Sequence, residues 1–115
     1  MGPGDRDRLT RLLGDPELAW VLARARRRLE LGQPLHGTIF VRSATAAQRG
    51  AVARLFGRMP RAARGLSVSL DELDALVRRS GVHAEGLAGA VETLTGPVVI
   101  RAEHLARDAR RWDAA

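Results

Sequence analysis

Three carboxylates stand close together at Asp71, Glu72 and Asp74, at the start of a helical pattern. Two carboxylates held side by side can share acid and base work or hold Mg²⁺. The same placement has a simpler cause, because a helix N-terminus favours negative charge. The histidines, His36, His83 and His104, are scattered, with no i, i+3 or i, i+4 pair and no HExxH. That spacing gives no expected metal site. Absence of cysteine removes disulfides, thiol nucleophiles and thiolate ligands together. Ser43, Ser67, Ser69 and Ser80 lack a GxSxG setting, and neither GxxxxGK[ST] nor GxGxxG occurs. The expectation is a chain that is not a self-sufficient enzyme, with no catalytic, cofactor-binding or metal-binding residues. The alternative enzyme reading would use Asp71, Glu72 and Asp74 with Mg²⁺.

The second chemistry on offer is positive charge. The formal net charge is +6, and all 19 basic residues are arginine. A basic surface favours polyanions through phosphate contacts and counterion release. One group comprises Arg24, Arg26, Arg27 and Arg28, near the end of a helical pattern where cations suit the dipole. A second comprises Arg54, Arg58, Arg61 and Arg64 around Pro60. Arg24, Arg27, Arg28, Arg58, Arg61 and Arg64 are the candidate phosphate contacts, giving affinity for double-stranded DNA without sequence readout. For the first group the residues alone favour a plainer reading, a solvated face with arginine packed over Trp20. Arg49 differs, lying at the margin of an apolar face beside Ala53 and Phe56, and is expected to make a structural ion pair. If the arginines only solubilise, Trp20, Leu31 and Trp112 become candidates for an exposed apolar patch that binds protein.

The elements that position these residues can be read from caps and periodicity. Residues 1–14 form a helical lead-in, Asp5 to Leu13, and residues 15–115 a single domain. Asp15 and Pro16 open a helix running to about Leu31, with Leu18, Val21, Leu22, Ala25 and Leu29 on one stripe. Leu35 to Val41 reads as a strand. Thr45 and Gln48 make a capping box for a helix ending at Gly57. Leu66 to Val68 is a short strand feeding a helix capped by Ser69, which Gly81 ends. Another helix spans about Glu85 to Leu94. Val98 to Ile100 fits a strand or the lead into a last helix, about Ala102 to Trp112. The expected class is α/β in the α+β sense, a small two- to three-stranded sheet flanked by about five or six short helices. With 115 residues and 45% hydrophobic content the chain can bury one modest core. It shows no secretory h-region and no apolar run of membrane-spanning length, so a cytoplasmic location is expected.

Several stretches together resemble a known family. They are Pro16-Glu17-Leu18, Ala25-Arg26-Arg27-Arg28-Leu29-Glu30, Gly37-Thr38, Thr45, Gln48-Arg49 and Ala51 to Arg58. Ser67-Val68-Ser69-Leu70, Leu73-Asp74-Ala75-Leu76 and Leu94-Thr95-Gly96-Pro97 complete the set. Their order and spacing, from about Leu12 to Trp112, resemble the N-terminal domain of the JetD subunit of Wadjet anti-plasmid defence systems. The resemblance implies a full-length protein whose C-terminal Toprim-like domain cleaves DNA through clustered acidic residues. It implies SMC-like ATPase and kleisin-like partners, and leaves a homodimer open. No Toprim-like domain lies within this sequence, so a non-catalytic positioning role is expected of it.

Overall fold

The computed structural model describes residues 3–60, 65–81 and 85–100. Helix α1 spans Pro3–Leu13. A 3₁₀ turn, Pro16–Leu18, leads directly into α2, Ala19–Glu30. Strand β1, Thr38–Val41, is followed by α3, Ala46–Phe56. Strand β2, Leu66–Ser69, runs without a loop into α4, Leu70–Arg79. Helix α5, Gly86–Thr95, is the last regular element described. The fold is thus α+β, with five helices and one two-stranded antiparallel sheet among the described residues. The expected last helix, 102–112, lies outside them, and Val98 to Ile100 forms neither strand nor helix.

Local chemistry explains most boundaries. The Asp15 carboxylate accepts from the Glu17 N–H at 2.9 Å, one of the donors that a helix start leaves orphaned. Thr45 and Gln48 form the reciprocal box at 3.0 and 2.9 Å. Gly57 closes α3 in the left-handed conformation at φ 70°, which costs glycine little. Ser69 accepts from the Glu72 N–H at 3.1 Å, but the Glu72 carboxylate turns toward Arg58. Strand β1 starts three residues later than expected. Residues 35–37 are irregular, with Leu35 packed against the core, and the Leu70 N–H donates to the Gly37 carbonyl.

Register pairs Ile39 with Val68 and Val41 with Leu66. These aliphatic pairs face inward, and period-two alternation puts Thr38, Phe40, Ser67 and Ser69 on the other face. Under the sheet lies one core. Leu9 and Leu13 of α1 meet Val21 and Ala25 of α2, Leu70, Leu73 and Val77 of α4, and Leu87, Ala90 and Val91 of α5. Helix α1 therefore supplies two fully buried leucines, Leu9 and Leu13, to the core. Helix α5 sits at the centre, packed on α1, α2 and α4. No described helix is long and apolar enough to cross a membrane.

Candidate functional site

The three carboxylates of α4 do not form a pair. Each is turned to a different neighbour. Asp71 accepts from the His36 ring Nδ1 and from the Gly37 N–H, both at 2.9 Å. These donors hold its carboxyl below the usual range, the histidine contributing most. Glu72 takes Arg58 in a two-pronged contact, with one bond at 2.7 Å. The guanidinium lowers its carboxyl in the same way. Asp74 accepts from the Leu87 N–H at 2.8 Å and from Arg78 Nε at 2.9 Å. Burial works against its charge, but these donors outweigh it and the carboxyl still falls below the ordinary value.

The Asp74 bond caps a helix from outside. Glu85, the residue preceding α5, makes no side-chain cap of its own. Asp74 of α4 supplies the acceptor instead. At the other end of α5, Arg26 of α2 gathers the orphan carbonyls of the last turn. It donates to Thr95 O at 3.3 Å, Gly96 O at 2.8 Å and Pro97 O at 3.0 Å, and to Thr95 Oγ1 at 2.9 Å. A carboxylate thus meets the positive end of α5 and a guanidinium its negative end, both matched to the dipole. Gly86 permits this closure. Its φ is +69°, and a Cβ there would lie 2.1 Å from Asp74 Oδ1.

These partners sort the arginines. Arg28 donates to the His36 carbonyl and braces the turn before β1. Arg54 reaches Asp15 at 3.0 Å, tying α3 to the start of the 3₁₀ turn. Arg58, paired with Glu72, also lies over the Phe56 ring, 5.3 Å from its centroid. Arg49 donates to the Gly65 carbonyl at 3.1 Å, joining α3 to the entry of β2. Arg61 and Arg64 lie outside the described residues. Of the six candidate phosphate contacts, Arg24 and Arg27 alone are both described and without a partner among the described residues. Both are exposed. At 100° per residue they share the outward face of α2.

Among the described residues no arginine stacks on Trp20, and a guanidinium lies over Phe56 instead. Trp20 is half-buried and packs on the core, so it offers no exposed apolar patch. Its indole N–H is buried without a partner among the described residues. Leu31 is likewise half-buried, and Trp112 lies outside the described residues.

A groove of ≈ 320 Å³ brings His36, Asp71, Asp74, Arg78 and Glu85 together above Leu29, Pro34, Leu35 and Ala88. A histidine oriented by a carboxylate can take a proton from a nucleophile. Among the described residues no serine, threonine or cysteine lines this groove, and both aspartates are already committed to other donors. Among the described residues no group of three or more histidines and carboxylates is arranged to hold a metal ion.

The family model described as "Protein of unknown function N-terminus (DUF3323)" matches residues 35–115. The chain belongs to that family. The DUF3323 match begins at Leu35, just before β1, so α1 and α2 precede the matched segment while completing its core. Searches of curated proteins and of solved structures find no match to this DUF3323 chain.

Sequence reasoning missed Arg26. By residue type it belongs with its neighbours on α2, and nothing local announces that its acceptors lie 69 to 71 positions away. The only signal is the helix stop at Gly96-Pro97, which leaves carbonyls in need of donors.

Proposed function

We propose that this chain is a non-catalytic DNA-contacting domain, the N-terminal portion of a JetD-like plasmid-defence nuclease. Its role is to set the nuclease on duplex DNA beside its SMC-like partner complex. The observation that carries the reading is the pair Arg24 and Arg27. They stand exposed on one face of α2 without partners among the described residues, in a chain of net charge +6. Arg26 and Arg28 on the same helix are spent on the fold, so this pair reads as surface charge presented outward. The resemblance of the sequence to JetD N-terminal domains and the family's description as an N-terminus support the placement. The dispersal of Asp71, Glu72 and Asp74 onto separate partners supports the non-catalytic assignment.

The test is anisotropy of a labelled random-sequence duplex at ~50 and ~200 mM salt. Each phosphate contact adds about 0.9 to the slope of log affinity against log salt. The double variant Arg24→Glu/Arg27→Glu, which removes two such groups, should therefore remove about a 12-fold share of the salt effect over that fourfold range. The same charge change at Arg8 and Arg11 of α1 should have a smaller effect. Equal losses of affinity in both double variants, or no wild-type binding at the lower salt, would overturn the assignment.

A further inference from the structure

We propose that the outer face of the β1–β2 ribbon is a stacking platform for the bases of a single-stranded nucleic acid. Phe40 is 51% exposed at the middle of that face. The other aromatic residues described, Trp20 and Phe56, pack against the core, and Arg58 covers the Phe56 ring. Phe40 is therefore the aromatic that the described fold turns outward.

Its position is prepared. A Cβ on Gly65 would lie 2.2 Å from both Cε2 and Cζ of Phe40, so the ring occupies the space that glycine leaves open beside β2. A ring seated in this way has little freedom left to lose when a base arrives, and such pre-ordering favours binding. Around it the face is polar. Ser67 lies directly across from Phe40, and Thr38 across from Ser69. Arg58, paired with Glu72, borders the β2 side, and both share a small cavity of ≈ 60 Å³ with Ser67 and Ser69. Arg42 follows β1 immediately, exposed and without a partner among the described residues.

This setting selects the occupant. One aromatic among three hydroxyl side chains lacks the apolar, aromatic-rich centre around which protein interfaces are built. A second copy would bring another net +6 against the same face. A polyanion with accessible base faces suits both the charge and the ring. In duplex DNA the base faces are already stacked on one another, which leaves the single strand. Sequence-tolerant stacking beside cationic groups is the general mode of such binding. The inference shares with the duplex reading only the sign of the charge, and uses different residues.

The experiment titrates a labelled 12-mer of thymidine and a labelled duplex with the full chain and with Phe40→Ala, Phe40→Leu and Phe40→Trp. Loss of one base–aromatic stack should weaken single-strand binding about 5- to 160-fold in Phe40→Ala and Phe40→Leu. Phe40→Trp should bind at least as tightly as wild type, and duplex affinity should hold in all three. Phe40→Leu keeps an apolar cover over Gly65, so a thermal melt like wild type separates lost stacking from lost folding. Wild-type single-strand affinity in folded Phe40→Leu would overturn the proposal, as would equal losses of affinity for single strand and duplex. A wild-type dimer in sedimentation that Phe40→Leu dissolves would also overturn it, assigning the face to a second copy. Single-strand binding through Phe40 without duplex binding keeps this proposal and removes the duplex reading. Duplex binding through Arg24 and Arg27, with single strands indifferent to Phe40, does the reverse.

Discussion

Replacing Arg26 by alanine should cost more stability than any other single change among the arginines of α2. Arg26 donates to three carbonyls and one hydroxyl at the C-terminal end of α5. A net hydrogen bond involving a charged group contributes about 1.5–3 kcal/mol, and its favourable meeting with the helix dipole about 0.3–1 kcal/mol. The bonds share one guanidinium, and that side chain is 27% exposed, so water replaces part of what is removed. The expected cost is about 2–3 kcal/mol, below the plain sum. For a domain of this size that is a fall in Tm of roughly 8–20 °C. Urea unfolding followed by circular dichroism gives the first number, and a thermal melt the second. Arg27→Ala, an exposed neighbour without such bonds, should stay within about 0.5 kcal/mol of wild type. Arg26→Lys should fall between, because one ammonium matches the dipole but cannot fork to several carbonyls. An Arg26→Ala protein as stable as Arg27→Ala would refute the idea that this side chain caps α5.

Two further outcomes follow from the other end of the same helix and from the carboxylates around it. Gly86→Ala should destabilise by about 2–3 kcal/mol in urea, because the new methyl must both accept a positive φ and displace the Asp74 cap; an unchanged midpoint would contradict the geometry. Asp15, Asp71, Glu72 and Asp74 all carry carboxyls held below their ordinary values of 3.8 or 4.5. Since the folded values are the lower ones, their stabilisation is complete above the ordinary values and is lost as pH falls through the folded ones. Stability should therefore decline below about pH 4.5, and Asp74→Asn should show a shallower acid limb. A limb as steep as wild type in that variant would show that Asp74 is not among the groups responsible.

Caps and periods are legible in the sequence because they are local. Asp15, Thr45 with Gln48, and Ser69 each bond to a backbone two or three positions away, and the glycine at 57 sits where its helix stops. The stripe containing Val21 and Ala25 is buried as its spacing requires. Side-chain partners across the fold are not legible. The run at Asp71, Glu72 and Asp74 looks alike in sequence, yet its members face His36, Arg58 and Leu87, on three different parts of the chain. Arginine charge misleads in the same way. Arg28 and Arg58 are indistinguishable from Arg24 and Arg27 by residue type, and only the tertiary arrangement shows which pair holds the fold together.

The span between Arg26 and its acceptors bears on the order of events when the chain is made. The guanidinium emerges with α2, but the carbonyls it binds follow 69 to 71 residues later. At ordinary synthesis rates that gap lasts roughly 4–14 s. During this interval α2 has neither its central neighbour nor the use for one of its arginines, and Leu9, Leu13, Val21 and Ala25 have no α5 to cover them. Closure of the long loop must precede any gain from the clamp, a cost that rises with the logarithm of loop length. Until then the apolar faces of α1 and α2 lack the helix that covers them in the folded chain. Its passage to the native state waits on the last of its described helices.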